Sequence, residues 1–206
     1  MPVRNLGIQA DPLLIRRMLS TISSPFLKQG LVMKAYIKAG IIGGVIIFLW
    51  GVVSWMALPW HMKTLHSFSD QKAVADVVLA NSPQSGMYLL PMMEYGHESQ
   101  IQKPFLFASI IPDGMPQSMV IEMIIGLVFQ IVAAILVAWM LTKVVGLNYI
   151  KRLGFVMVFA LAAGIITHGM YWNWYGFTLD YTLIAFADLL IGWFLAGLVL
   201  AKMCRS

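Results

Sequence analysis

YTLIAFADLLIGWFLAGLVLA, residues 181–201, is an apolar run broken by a single carboxylate, Asp188. At 1.5 Å of rise per residue, a helix of this length crosses a hydrocarbon core of about 30 Å. Residues 39–60, 118–142 and 153–175 are runs of the same kind. The fold class that follows is an all-α membrane protein, a four-transmembrane-helix bundle. Composition agrees: 60% of residues are hydrophobic and 11% charged, against about 25% charged in an average soluble domain.

The net charge of +5 does not point to nucleic acid, because the cations are segregated along the chain. Arg4, Arg16, Arg17, Lys28, Lys34 and Lys38 precede the first run, Lys143, Lys151 and Arg152 join the second to the third, and Lys202 and Arg205 follow the fourth. Only Lys63, Lys72 and Lys103 fall in the alternate connections. The positive-inside rule then places both termini in the cytoplasm. No cleavable signal peptide is expected, since the first apolar run begins only at Ala39. Cys204 is the one cysteine, so no internal disulfide can form.

Two segments lie outside the spans. Residues 1–38 form a cytoplasmic or interfacial segment in which Asp11-Pro12 starts a helix. Leu14, Ile15, Met18, Leu19 and Ile22 recur on one face of it, away from Arg16 and Arg17. Such a face lies flat among acidic headgroups or docks on a partner. The second segment, 61–116, is the loop within the four-helix domain 39–206. Ser69 is placed to cap a helix over DQKAVADVVLA, and GMYLLPMM and PFLFASII are apolar runs of strand length. These predict a small extracytoplasmic α+β cap.

The second, third and fourth spans carry small and polar residues four apart, Glu122, Gly126 and Gln130, then Ala160, Gly164 and His168, then Asp188, Gly192 and Ala196, and the first has a small stripe of its own, Gly40, Gly44, Gly51 and Ser54. Small stripes let helix backbones approach closely, which explains the glycines without further function. The ionisable groups are another matter, because a charge at mid-membrane costs about 2.5–3.5 kcal/mol even on lenient scales. Glu122, Gln130, His168 and Asp188 are therefore expected to meet in the outer third of the bundle as an intramembrane polar cluster. No Lys or Arg is expected in any span, so desolvation favours a protonated or shared-proton state there. Glu122 has the alternative of snorkelling to the surface.

Trp172, Asn173, Trp174 and Tyr175 close the third span as an interfacial aromatic belt, or as a surface on which a lipid or quinone ring could stack. His61, Met62, His66, Met92, Met93 and His97 offer soft ligands suited to copper, although their spacing converges on no obvious centre. No phosphate loop, CxxC or HExxH is present. A self-sufficient enzyme is not expected.

WGVVSWMALPWH (50–61) and YWNWYGFTLDYTLIAFADLLIGWFLAGLVLAKM (171–203) resemble segments of an uncharacterised family of small bacterial inner-membrane proteins with four transmembrane helices. That resemblance implies a multi-pass protein of the bacterial plasma membrane and no reaction, cofactor or site residue. Small size, close-packing stripes and an apolar cap lead to the expectation of an accessory or structural subunit of a larger membrane complex, with lipids and a membrane-protein partner or second copy as neighbours. A small proton-coupled transporter using Glu122, His168 and Asp188 is the alternative, and extracytoplasmic copper binding a second one.

Overall fold

The computed structural model describes the backbone of residues 12–92, 103–115 and 118–204, and side chains within those ranges from Gly30 onward except residue 31. Six α-helices and one hairpin build it: α1 (Pro12–Met56), α2 (Gln71–Asn81), β1 (Gly86–Leu90), β2 (Leu106–Ile110), α3 (Met119–Lys143), α4 (Tyr149–Gly164), α5 (Met170–Tyr175) and α6 (Leu179–Met203). A single π turn, Ile165–Gly169, joins α4 to α5 without a break in the rod. Four helices are long and apolar enough to cross a membrane: Val32–Met56, Met119–Lys143, Tyr149–Tyr175 and Leu179–Met203.

The expected amphipathic stretch is the beginning of α1 itself, with no turn between it and the first span. Its proposed apolar face falls on side chains outside the described residues. The other end of α1 stops earlier than expected. The helix ends at Met56, and Ala57–Trp60 turn the chain back toward the helices. Pro59 cannot continue the hydrogen-bond ladder, so the reversal follows from the sequence once the helix has reached it.

Packing does not produce a closed ring of four. Helix α1 lies along both α3 and α6, and α4 lies along α6, while α3 meets α4 and α6 at only a few positions. The helices thus form a row in the order α3, α1, α6, α4. Gly40 and Gly44 explain the tightest contact: a Cβ added to them would stand 2.5 Å and 2.4 Å from the Cα atoms of Ile135 and Ile131. Those two positions let α1 and α3 meet backbone to backbone. Ala134, Val137, Ala138, Leu141, Val156, Ala160, Trp193, Ala196 and Leu200 fill the apolar core.

Lys151 and Arg152 were expected in a connection outside the spans, and both belong to α4. Asn148 caps that helix by accepting from the Lys151 N–H at 2.9 Å. Arg152 is buried, with its guanidinium donating to the carbonyls of Ala201 (2.8 Å) and Leu147 (2.7 Å). It thereby satisfies the Ala201 carbonyl in the last turn of α6 and ties it to the connection before α4.

The α+β segment differs from expectation in one detail. Asp70, not Ser69, caps α2, accepting from the Ala73 N–H at 2.9 Å. An aspartate at that position places its negative charge at the positive end of the helix dipole. Strands β1 and β2 pair antiparallel with Tyr88 opposite Ala108. Phe107 of β2 stacks on Tyr175 at 4.3 Å and 21°, tying the hairpin to the end of α5. Gly176 closes α5 in the left-handed conformation at φ +68°, where a side chain would be strained.

Candidate functional site

The polar centre of the molecule forms where the reversed chain after α1 meets the middle of α6. His61 is 1% exposed. Its Nε2 lies 3.0 Å from Ser54 Oγ and 3.4 Å from Asp188 Oδ2. Trp55 lies flat on the imidazole, with ring centroids 3.9 Å apart and 5° between planes, and Trp60 meets it edge-on at 5.5 Å. The Trp60 indole donates to Ser54 Oγ at 3.0 Å. Trp50 donates to the main-chain carbonyl of Asp188 at 3.1 Å, setting α1 and α6 level at this height.

These contacts decide what the group can do. Ser54 and Asp188 both address Nε2, whereas a nucleophile relay needs serine on one ring nitrogen and the acid on the other. The arrangement is not a catalytic triad. A bare Nε2 and an ionised carboxylate oxygen 3.4 Å apart would present two lone pairs to each other. One proton between them converts that repulsion into attraction, whether carried by the ring or by the acid. The second carboxylate oxygen, Oδ1, is buried and has no hydrogen-bond partner among the described residues. An unpaired buried acceptor costs about 1–3 kcal/mol unless something supplies a donor.

Asp188 opens on a cavity of about 350 Å³, whose walls include Trp50, Trp55, Gln130, His168, Tyr181 and Trp193. This volume lies toward the small end of the usual range for ligand sites. His168 stands in the π turn, and its ring meets Phe186 edge-on at 6.4 Å. Such turns insert one residue into a helix and re-aim the side chains beyond it, which is why they recur at functional positions.

Gln130, His168 and Asp188 line one cavity, and Glu122 is not among its walls. Glu122 occupies the exposed first turn of α3. Its carboxylate favours the positive helix end there, so snorkelling is the reading that fits. His61 takes its place in the cluster. Sequence spacing grouped His61 with soft metal ligands because its burial depends on the turn at 57–60, which no periodicity announces.

Among those soft ligands, Met62, His66 and Met92 are exposed, and Met93 and His97 lie outside the described residues. No three His, Cys, Asp or Glu side chains converge to hold a metal among the described residues. Trp172, Asn173 and Trp174 are exposed around α5, while Tyr175 is half-buried against Phe107. They line no part of the cavity, and Tyr175 alone of the four has a specific partner in the hairpin.

At the far end of the row, Cys204 is 2% exposed, and burial pushes its thiol up to about 11, against a smaller opposing pull from Arg152. No family model, curated protein or solved structure matches this chain.

Proposed function

We propose that this protein is a small proton-coupled carrier of the bacterial inner membrane, with both termini cytoplasmic and the His61–Asp188 pair open to the outer leaflet side. The observation that carries the reading is the 3.4 Å approach of His61 Nε2 to Asp188 Oδ2 beside a buried, unpartnered Oδ1. The two side chains are close enough to share one proton, and the buried Oδ1 beside them is a second acceptor without a donor. An ionisable residue inside a span is expensive, and such residues mark substrate or ion pathways and proton relays. His168 and Gln130 supply further hydrogen-bonding groups around the same space.

Reconstitution into liposomes with an entrapped pH-sensitive dye tests this. An imposed pH gradient should drive dye-reported flux that falls about tenfold or more in Asp188→Asn, a loss of at least one decade in rate. Unchanged flux in that variant would remove Asp188 from the mechanism.

A second reading, the accessory subunit, draws on the edge position of α3, whose Ile121, Ile124, Val128, Phe129 and Val132 are all exposed. In this reading the hairpin and α2 act as an extracytoplasmic cap against a partner. Purification in mild detergent separates the two, because a carrier acting alone remains a monodisperse single species.

A further inference from the structure

We infer that the cavity takes a lipophilic primary amine, with its ammonium head on Asp188 and its hydrocarbon tail in the adjoining groove between α1 and α3. This names the substrate class of the carrier proposed above and rests on that reading for the direction of exchange.

The groove has a volume of about 280 Å³ and shares Ile47, Gly51, Trp55 and Gln130 with the polar cavity, so the two spaces adjoin across common walls. Its remaining walls are apolar, Met56, Met119 and Met123 among them. Methionine walls adapt to tails of different shape. Gly51 and Gly126 keep the passage clear, since a Cβ added at either would meet no atom within 4 Å. They contrast with Gly40 and Gly44, where the same atom would strike the backbone of α3. Identical residues in similar stripes thus serve contact at one end and vacancy at the other.

Charge selects the head group. Among the described residues no Lys or Arg lines the cavity, and His61 and His168 are the basic side chains that do. An anionic head, the phosphate of a membrane lipid included, would face Asp188 with no fixed cation to receive it. A neutral hydroxyl could hydrogen-bond the carboxyl group but brings no positive charge to replace the proton that His61 and Asp188 share. A quaternary ammonium has charge without a donor. A primary ammonium supplies both, and the indoles of Trp50, Trp55 and Trp193 give it walls that favour cations.

The exchange balances. As the alkylammonium arrives, the proton shared by His61 and Asp188 breaks its bond to whichever of the two atoms holds it and leaves to the medium, and the carboxylate pairs with the R–NH3+ head. One positive charge enters for one released. The other titratable groups lining the cavity are His61 from the turn after α1, His168 from the π turn and Tyr181 from α6, and of these His61 is in contact with Asp188.

The test uses the full chain in phosphatidylcholine nanodiscs with dodecylamine, dodecanol and butylamine as probes. Binding is read by tryptophan fluorescence, and proton release in weakly buffered medium. Dodecylamine should bind saturably with release of up to one proton, and Asp188→Asn should weaken it about tenfold or more, about 1.4 kcal/mol per decade. Gly126→Leu, which fills the groove and leaves the polar cavity intact, should weaken dodecylamine by a similar factor and leave butylamine unchanged. Equal binding of dodecanol, unchanged binding in Asp188→Asn, or a tightly held phospholipid that dodecylamine cannot displace would overturn the inference. Proton flux without amine binding sinks the inference alone, and amine binding without flux sinks the carrier reading alone.

Discussion

Trp55 and His61 lie face to face, 3.9 Å apart and within 5° of parallel, on either side of the turn that ends α1. The indole fixes the plane of the imidazole, and that plane directs Nε2 at Asp188. Trp55→Leu should keep most of the apolar contact yet free the ring to rotate. The expected outcome is a shift in the pH dependence of flux or amine binding, with thermal stability lowered by about 0.5–1.5 kcal/mol, the worth of an aromatic pair. His61→Ala should cost more, about 1–3 kcal/mol, because it leaves both oxygens of Asp188 without a partner. Unfolding curves of the two variants in the same detergent check the order.

Four glycines in two similar stripes should behave oppositely. Gly44→Ala forces a carbon to within 2.4 Å of the Ile131 Cα, and neither helix backbone can yield cheaply. Overpacking of this kind costs about 1–3 kcal/mol. Gly51→Ala and Gly126→Ala meet open space, so each should be neutral or stabilise its helix by up to about 1 kcal/mol. Thermal unfolding of the three single variants decides it, and a destabilised Gly51→Ala would mean the passage is not open.

Cys204 gives a pH dependence of known sign. Burial holds the thiol protonated up to about 11, above its ordinary value of 9.0. The neutral form is the one the folded state favours, so its contribution to stability is whole below about 9 and is lost as pH rises through 11. Alkylation by iodoacetamide, which needs the thiolate, should be slow in the folded protein at neutral pH. It should accelerate toward pH 11, while the unfolded chain reacts readily near pH 9. Fast labelling of folded protein at pH 7.5 would contradict the burial.

Phe107 anchors the hairpin through one stacked ring. Phe107→Ala should raise amide exchange in β1 and β2 and leave the protection of α1, α3 and α6 unchanged. Hydrogen exchange read by mass spectrometry checks this. Isolated two-stranded hairpins are marginal in water, so the loss of one anchor should be visible.

The four long helices were legible because hydropathy is a local property of the chain, and each run declares itself without reference to any other. Asp188 could be singled out for the same reason: a carboxylate deep in an apolar run has to be accounted for wherever the run ends up. What could not be read was rotation and reversal. Glu122 and Asp188 sit in stripes of the same period, and only the packing of α1 against α3 and α6 turns one outward and the other inward. His61 lies beyond the end of its helix and is buried by a turn of four residues. The one local hint was Pro59-Trp60 directly before it, a breaker followed by an aromatic that can fold beneath the helix end. Open and closed glycines look alike in sequence, because the partner backbone is supplied from another part of the chain.

The π turn at Ile165–Gly169 has a consequence for how the third span could vary. An α-helix advances about 100° per residue, so winding these same residues as regular α-helix, with no π turn to absorb the surplus one, would swing everything after it by about that angle. His168 would leave the cavity, and Tyr175 would part from Phe107, while the packing before Gly164 stayed as it is. The surplus residue therefore acts as a phase adjustment: it sets the azimuth of the rod's last two turns independently of the interface that anchors its root.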